Sequence, residues 1–101
     1  MPFKDISIQD FKDRSKDNFL IIDIRDKGSY NNGKIPNAKN YNSENIMNLT
    51  KQNDKNCNIF IYCYHGNSSR KVASFLSESG FQKVYSLIGG FCEWENSLWK
   101  L

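Results

Sequence analysis

Cys63 is the residue whose surroundings in this sequence most favour chemistry. It directly follows the apolar residues 59–62 and precedes the small polar residues 66–69, a pattern typical of a buried strand that leads into a helix. The first backbone N–H groups of a helix lack intrahelical partners and carry about half a positive charge, so they favour a thiolate over a thiol. Gly66 would let the loop curl with its amides inward. The pattern predicts an anion cradle with a nucleophilic sulfur at its base, suited to an oxyanion or a sulfur anion.

The other two cysteines and the single histidine lack this context. Cys57 falls in a polar turn and Cys92 near an apolar helical stretch, so we interpret Cys57 as an exposed bystander and Cys92 as a packing residue. Three cysteines without paired spacing argue against a disulfide framework and favour a reducing compartment. We expect His65 to point to solvent or to the pocket rim rather than to act as a catalytic base, and one histidine predicts no metal site.

Hydrophobic patterning places Cys63 in a chain of alternating strands and helices. Continuous apolar runs ending at Asp23 and at Tyr62 predict two strands buried on both faces, and residues 83–87 predict another. Turn-forming residues dominate from Asp26 to Asn37, which predicts mainly loop with one helical turn. Four helices are predicted: residues 8–14 after a Ser7 cap, one capped by Ser43, one from near Ser69 to before Gly80, and a closing helix that buries Phe91, Trp94, Leu98 and Trp99.

This alternation predicts an α/β fold in one domain spanning residues 1–101. The sheet is expected to be mostly parallel, with right-handed crossovers and helices on both faces. Ligands of open sheets of this kind bind beyond the carboxyl ends of the strands. Asp23 and Cys63 both fall at such ends, so the sequence predicts that they share a site.

The overall composition argues against several classes of function. The formal net charge of +3 comes from scattered Lys and Arg residues, so nucleic-acid binding is not predicted. No apolar run approaches the roughly 20 residues that a membrane span requires, and the chain opens without a signal-peptide pattern. We therefore expect a soluble cytoplasmic protein that binds neither nucleic acid nor membrane, and we expect it to be a monomer.

Motifs spread over nearly the whole chain carry a family resemblance. They comprise residues 22–26, residues 30–38, the loop Cys63-Tyr64-His65-Gly66-Asn67-Ser68-Ser69, and the stretch from Gly80-Phe81 through Gly89-Gly90-Phe91 with Trp94. Together they resemble the single-domain rhodaneses, and most closely the bacterial thiosulfate sulfurtransferases of that family. Lys34 and Asn37 depart from the family's usual His and Gly, and Asn tolerates positive φ less easily than Gly. These departures concern the shape of a connecting loop and not the chemistry.

The resemblance implies a rhodanese-like three-layer fold with about five strands and a thiosulfate sulfurtransferase activity. Cys63 matches the family's persulfide-forming nucleophile, and Asp23 and Arg25 match a pair at the edge of the active site. For that pair we expect a local salt bridge rather than direct catalysis. The loop around the persulfide corresponds to Tyr64, His65, Gly66, Asn67, Ser68 and Ser69.

The same resemblance implies a ping-pong reaction in which thiosulfate gives up its outer sulfur to Cys63. The acceptor would be cyanide, a dithiol, or a protein thiol such as that of a thioredoxin-like protein. No cofactor and no metal are implied.

Three other functions are compatible with a cysteine loop. A cysteine phosphatase or arsenate reductase resembles Cys-x5-Arg, whereas Ser69 stands at the arginine position and Arg70 comes one residue later, about 100° further round a helix. The six-residue loop also predicts a smaller cradle, matched to one sulfur atom. A non-catalytic binding module would not require an intact Cys63. A persulfide relay between protein partners would use the same cysteine, so the sequence leaves it open beside turnover of small molecules.

Overall fold

A parallel β-sheet forms the centre of the molecule. The computed structural model describes residues 3–14, 19–52 and 54–99. Within them the strands are β1 (Lys4–Ile6), β2 (Phe19–Asp23), β3 (Lys39–Asn40), β4 (Asn58–Tyr62) and β5 (Lys83–Leu87), in the order β1-β5-β4-β2-β3 across the sheet. Each neighbouring pair is parallel. The predicted α/β class with about five strands is confirmed.

Helices cover both faces of this sheet. They are α1 (Ile8–Arg14), α2 (Lys27–Asn32), α3 (Ser43–Leu49), α4 (Asn67–Glu78) and α5 (Gly90–Leu98). One buried cluster joins Phe11 of α1 and Phe91 of α5 to the sheet, and a second joins Ile46 of α3 and Leu76 of α4 to the opposite face. The predicted three layers are therefore present. No helix in the described ranges has the length and apolar character needed to cross a membrane.

Strand β4 lies between β5 and β2 and is buried on both faces. Its alternate residues reach opposite sides of the sheet: Phe60 and Tyr62 join the cluster of α1 and α5, whereas Ile59 and Ile61 join that of α3 and α4. Burial on both faces explains why this strand is continuously apolar in sequence instead of alternating with polar residues.

The strand order opens a crevice at the carboxyl edge of the sheet, between β2 and β4. The connection after β2 leads to β3 on one side, and the connection after β4 leads to β5 on the other. Ligand-binding crevices form where such connections diverge. Because β2 and β4 pair with Asp23 beside Tyr62, the residues that follow these two strands meet at one site.

A helix lies within the stretch predicted to be mainly loop. Helix α2 has six residues and ends at Gly33. The Asp26 side chain caps it by accepting a hydrogen bond from Ser29 N at 3.0 Å. Because α2 contains no buried residue, it has no apolar stripe from which its extent could be predicted.

Two helices also begin earlier than predicted. Asn42, not Ser43, caps α3, because its side chain accepts from Asn45 N at 2.9 Å while the Asn45 side chain accepts from Asn42 N at 3.0 Å. Helix α4 begins two residues before Ser69, directly after Gly66. Both shifts lengthen the helices toward the carboxyl edge of the sheet.

The closing helix buries less of its apolar face than predicted. Phe91 is buried and Trp94 contacts Phe11 of α1 edge-on. Leu98 and Trp99, by contrast, are 57% and 84% exposed, so the prediction for these two residues was wrong. The prediction failed because the apolar residues of the sequence continue at helical spacing beyond the part of α5 that packs against α1.

The cap of α3 can be tested by comparing Asn42→Ala with Ser43→Ala. We expect Asn42→Ala to lower the free energy of unfolding by about 1 kcal/mol, because it removes the side-chain oxygen that accepts from Asn45 N. Ser43→Ala should change it by less than about 0.5 kcal/mol. Urea unfolding measures both values, and equal losses would contradict the assignment of Asn42 as the cap.

Candidate active site

Cys63 directly follows β4 and lies at the base of a pocket of about 270 Å³. Its side chain is buried, with 7% of the residue exposed. The lining brings together most of the residues predicted for the site: Arg25, Cys63, Tyr64, His65, Asn67 and Ser68, together with Ile24 and Asp26. Residues 24–26 follow β2 and residues 63–68 follow β4, and the two segments meet because the chain diverges after these neighbouring strands.

Two backbone amides and a hydroxyl surround the sulfur. Gly66 N and Ser69 N donate to Cys63 Sγ at 3.1 and 3.3 Å, and Ser69 Oγ lies 3.4 Å from the same atom. Gly66 stands at the N-cap of α4 with a φ of 100°, a conformation that L side chains rarely adopt. The predicted cradle is therefore present, with the first turn of α4 directed at the sulfur.

The surroundings of Cys63 act on its charge in opposite directions. Burial disfavours the thiolate, whereas the hydroxyl and amide of Ser69 and the amides of Gly66 and His65 stabilise it. The hydrogen bonds outweigh burial, so the pKa of Cys63 lies below that of an ordinary cysteine. The direction predicted from the sequence agrees with this geometry, and a larger fraction of the residue is nucleophilic thiolate at neutral pH.

The amino end of α5 holds the cysteine loop from behind. Phe91 N donates to Cys63 O at 2.7 Å, and Cys92 N donates to Tyr64 O at 3.0 Å. Gly90, with a φ of 60°, lies so close that a Cβ there would come within 2.6 Å of the Tyr64 carbonyl group. The sequence predicted a turn at these glycines, but it did not predict their contact with the active-site loop.

Asp23 and Arg25 form the predicted salt bridge behind the pocket. Asp23 is fully buried, and its Oδ2 accepts from Arg25 Nη2 at 2.6 Å and from Arg25 Nε at 3.0 Å. Arg25 Nη2 also donates to Gly33 O at 2.6 Å, and its guanidinium carbon lies 3.9 Å from the centroid of the Phe91 ring. Of the pair, Arg25 lines the pocket and Asp23 fixes its direction.

Tyr62 completes this buried network, and sequence reasoning missed its polar role. Its hydroxyl donates to Asp23 Oδ2 at 2.6 Å and accepts from Ile35 N at 3.2 Å. Burial, followed by the hydrogen bond to Asp23, strongly raises the pKa of the phenol, which stays a neutral donor. The apolar neighbours of Tyr62 in sequence favoured its interpretation as a core residue alone.

A chain of side chains joins the cysteine loop to α2 at the pocket mouth. Tyr64 is partly exposed, and its hydroxyl donates to Ser29 Oγ at 2.9 Å. Ser29 Oγ in turn donates to the capping carboxylate of Asp26 at 2.8 Å. His65 is exposed at the pocket rim, as predicted. The unexpected helix α2 thus forms one wall of the site.

The remaining cysteines lie apart from this arrangement, and all three are free. Cys57 is half-buried against the cluster of α3 and α4, so its interpretation as an exposed bystander was wrong. Burial, then the charge of Asp54, raises the pKa of its thiol. Cys92 is half-buried in α5. Among residues 3–14, 19–52 and 54–99, no three His, Cys, Asp or Glu side chains are grouped as a metal site requires.

The two residues that distinguish this loop from a Cys-x5-Arg loop are placed as the spacing predicted. Arg70 lies on the exposed side of α4, where its Nε donates to Asp5 Oδ1 at 3.1 Å and its guanidinium carbon lies 5.4 Å from the Phe3 ring centroid. Ser69 occupies the clamp position and is fully buried. In the described residues no arginine therefore closes the loop around an oxyanion from the sixth position.

Comparison with known families agrees with this geometry. The profile of the rhodanese-like domain matches residues 7–97. The chain belongs to the rhodanese-like domain family. Among its relatives, a protein of Shewanella oneidensis named thiosulfate sulfurtransferase GlpE is 47% identical over 76% of each chain. A protein of the same name from Pseudoalteromonas translucida is 44% identical over 94% of this chain and 91% of its own.

Solved structures share the fold of this rhodanese domain. A rhodanese-like domain protein from Staphylococcus aureus superposes with a TM-score of 0.79 and 28% identity, and 91% of both chains is covered.

The two departures from the family signature, Lys34 and Asn37, are accommodated within the segment of residues 30–38. Asn37 adopts a φ of 70°, the region that glycine prefers, and Lys34 Nζ donates to Tyr30 OH at 3.1 Å.

The support that α5 gives to the cysteine loop can be tested with Gly90→Ala. We expect the methyl group to displace the backbone at Cys63 and Tyr64, so that alkylation of Cys63 at neutral pH slows at least about tenfold. Gly80→Ala is the matched control, because Gly80 also has a positive φ but a Cβ there would meet side-chain atoms of Lys55 at 3.8 Å or more. Peptide mapping after iodoacetamide treatment measures both rates, and similar rates in the two variants would contradict the proposed support.

Proposed function

We propose that this rhodanese is a thiosulfate sulfurtransferase that carries sulfur as a persulfide on Cys63. The observation that carries the proposal is a buried sulfur that accepts from two amides at the start of α4, in a pocket walled by Arg25. The names of the curated relatives support the substrate. The proposal treats residues 1–101 as one catalytic domain.

The first half-reaction loads Cys63. Thiosulfate is a dianion, and the positive potential at the amino end of α4 favours its entry, whereas the charge of Arg25 at the pocket wall is balanced by Asp23. The Cys63 thiolate attacks the outer sulfur of thiosulfate, forming a new S–S bond. The original S–S bond breaks, and sulfite leaves with its electron pair. Attack by the thiolate form of Cys63 transfers no proton and changes no overall oxidation state, so this step uses no metal or redox cofactor.

The persulfide places a negative charge one atom further into the pocket. The first turn of α4, whose N–H groups have no intrahelical partners, and the curled loop of residues 64–68 can stabilise that charge. A cavity of about 270 Å³ leaves space for the added sulfur and for an approaching acceptor. Because Ser69 stands at the sixth position after Cys63, no arginine closes the loop around a tetrahedral phosphate from that position, and phosphatase chemistry is disfavoured.

The second half-reaction discharges the sulfur. Cyanide or a thiolate attacks the outer sulfur, the S–S bond to Cys63 breaks, and Cys63 leaves as a thiolate. The donors that lower its pKa also make it a better leaving group. The kinetics are expected to be ping-pong, because sulfite departs before the acceptor reacts.

A larger groove beside the pocket favours a protein thiol as acceptor. It has a volume of about 660 Å³, lies between α2, α3 and α4, and shares Ile24, Arg25 and Asp26 with the Cys63 pocket. Met47 and Phe75 expose apolar surface in it. The groove is also lined by Lys27 and Lys71.

We propose that this groove receives an acidic segment of a partner protein whose cysteine thiol reaches Cys63. Lys27 and Lys71 outnumber the single carboxylate, Asp26, among the lining residues described, and the charge of Arg25 is already balanced by Asp23. Charge complementarity would therefore favour an acidic chain. A thioredoxin-like protein with acidic surface beside its reactive cysteine would be one acceptor of this kind. We also propose that the enzyme acts as a monomer in the cytoplasm, where a reducing environment keeps the three cysteines free.

The mechanism predicts that Cys63→Ala abolishes transfer from thiosulfate to cyanide, lowering kcat by at least about 1000-fold, because the nucleophile is lost. Incubation of the parent protein with thiosulfate should add one sulfur atom, about 32 Da, to the Cys63 peptide by mass spectrometry. Cys57→Ser and Cys92→Ala are controls and should still load sulfur. Loading on either of those two residues instead of Cys63 would refute the mechanism.

The groove predicts that Lys71→Glu weakens transfer to a protein acceptor. With a reduced thioredoxin-like protein as acceptor, KM should rise several-fold at low ionic strength, because a like charge then meets the acidic partner. KM for cyanide should stay within about twofold. Lys83→Glu makes the same charge change at the opposite end of the sheet and should alter neither value. An equal rise for both acceptors, or none, would argue against docking in the groove.

A further inference from the structure

A second buried serine stands behind the active-site loop. Ser86 lies on β5 and is 1% exposed, and its Oγ lies 2.8 Å from Oγ of Ser69. Ser69 Oγ in turn lies 3.4 Å from Cys63 Sγ. Ser86 pairs in register with Ile61, two residues before Cys63, so the sheet itself holds this hydroxyl under the loop. Its sequence signal is a single small polar residue among the apolar and aromatic residues Val84, Tyr85 and Leu87.

The direction of the two hydroxyl hydrogens depends on the charge of the sulfur. A thiolate can only accept, so the Ser69 hydroxyl must donate to it. Ser69 then accepts from Ser86, and both hydrogens point along the chain toward the negative charge. A protonated Cys63 can donate to Ser69 instead, which reverses the chain. Hydrogen bonds aligned in this way polarise and strengthen one another in a buried environment.

We propose that Ser86 is a positioning residue that stabilises the Cys63 thiolate through the hydroxyl of Ser69. The inference rests on the proposed role of Cys63 as nucleophile and deepens it. The amides of Gly66 and Ser69 donate to Cys63 Sγ, and the two serine hydroxyls add a further donor to the same atom. Ser86 therefore matters most when the charge is on Cys63, before loading and during release of the sulfur to the acceptor.

Other ionisable groups surround the cysteine, and the variants that test Ser86 must leave these groups unchanged. Arg25 and Asp26 line the pocket from the β2–α2 connection, and Tyr64 and His65 line it from the loop. From α5, Cys92 N contacts the loop carbonyl of Tyr64.

On the far side of Ser86, its register partner on β1 is Asp5, which pairs with Arg70. Since none of these groups is altered in the variants below, a difference between variants reports the hydroxyl at position 86.

The test measures the alkylation rate of Cys63 by iodoacetamide as a function of pH. We expect Ser86→Ala to move the midpoint to higher pH, so that the rate below the midpoint falls about two- to fivefold. The limiting rate at high pH should not fall, because every Cys63 is then a thiolate. Ser77→Ala is the control, since Ser77 is also buried but lies on α4 near its carboxyl end, and its midpoint should equal that of the parent.

A pair of isosteric variants separates the effect of losing the hydroxyl from the effect of changed packing. Ser86→Thr keeps the hydroxyl and Ser86→Val replaces it by a methyl group, and both residues suit a strand. We expect the Thr variant to keep the parent midpoint and the Val variant to match Ser86→Ala. Equal midpoints in Thr and Val, or a midpoint in Ser86→Ala equal to that of the parent, would overturn the role of Ser86.

This experiment also separates the inference from the proposed function. Alkylation requires no thiosulfate, so it reports Cys63 independently of sulfur transfer. If the alkylation midpoint of Ser86→Ala equals that of the parent and the variant still gains a sulfur atom from thiosulfate, only the role of Ser86 is refuted. Failure of the parent protein to gain that atom refutes the sulfurtransferase proposal alone. Where loading does occur, discharge to cyanide should slow in Ser86→Ala, because Cys63 becomes a poorer leaving group.

Discussion

The stabilisation of a negative charge on a largely buried sulfur is the constraint on which the site depends. Burial of Cys63 excludes water, which by itself would favour the neutral thiol. The protein compensates with donors whose positions are set by the backbone, the amides of Gly66 and Ser69. Backbone amides of a helix terminus suit this purpose because they are free of intrahelical partners and need no reorganisation when the charge forms.

Several distant features of the fold serve that geometry. Gly66 allows the left-handed turn that aims the amides inward, and Gly90 allows α5 to approach close enough to bind the loop carbonyls. The sheet contributes as well, because β4 positions Cys63 and β5 positions Ser86. The loop is thus held by a helix in front, a helix behind and the sheet beneath. Its conformation is determined by these supports together with the left-handed turn at Gly66.

The Asp23–Arg25 pair shows how a buried charge can be retained for a purpose other than stability. Replacing a buried ion pair with apolar residues is often neutral or stabilising, so the pair is weak grounds for a stability role. Here Tyr62 and the pair itself occupy the oxygens of Asp23, and Arg25 is directed over the Phe91 ring to the pocket wall. The network holds the Arg25 guanidinium in one orientation at the wall of the anion site, where a flexible lysine would be placed less reproducibly.

The features that the sequence by itself determined depend on interactions between residues that are close in the chain. Continuous apolar runs specified β2 and β4, and the strand, cysteine and small-residue order specified the reactive loop, because these depend on neighbours in the chain. Spacing alone also placed Arg70 away from the pocket. Tertiary structure decided what depends on partners far apart in sequence: the contact of Gly90 with the loop, the hydroxyl chain from Ser86, the role of Tyr62 and the exposure of Trp99. Helix α2 belongs to the same group, because it buries no residue and so left no periodic pattern, yet its first turn bonds to Tyr64 across the pocket mouth.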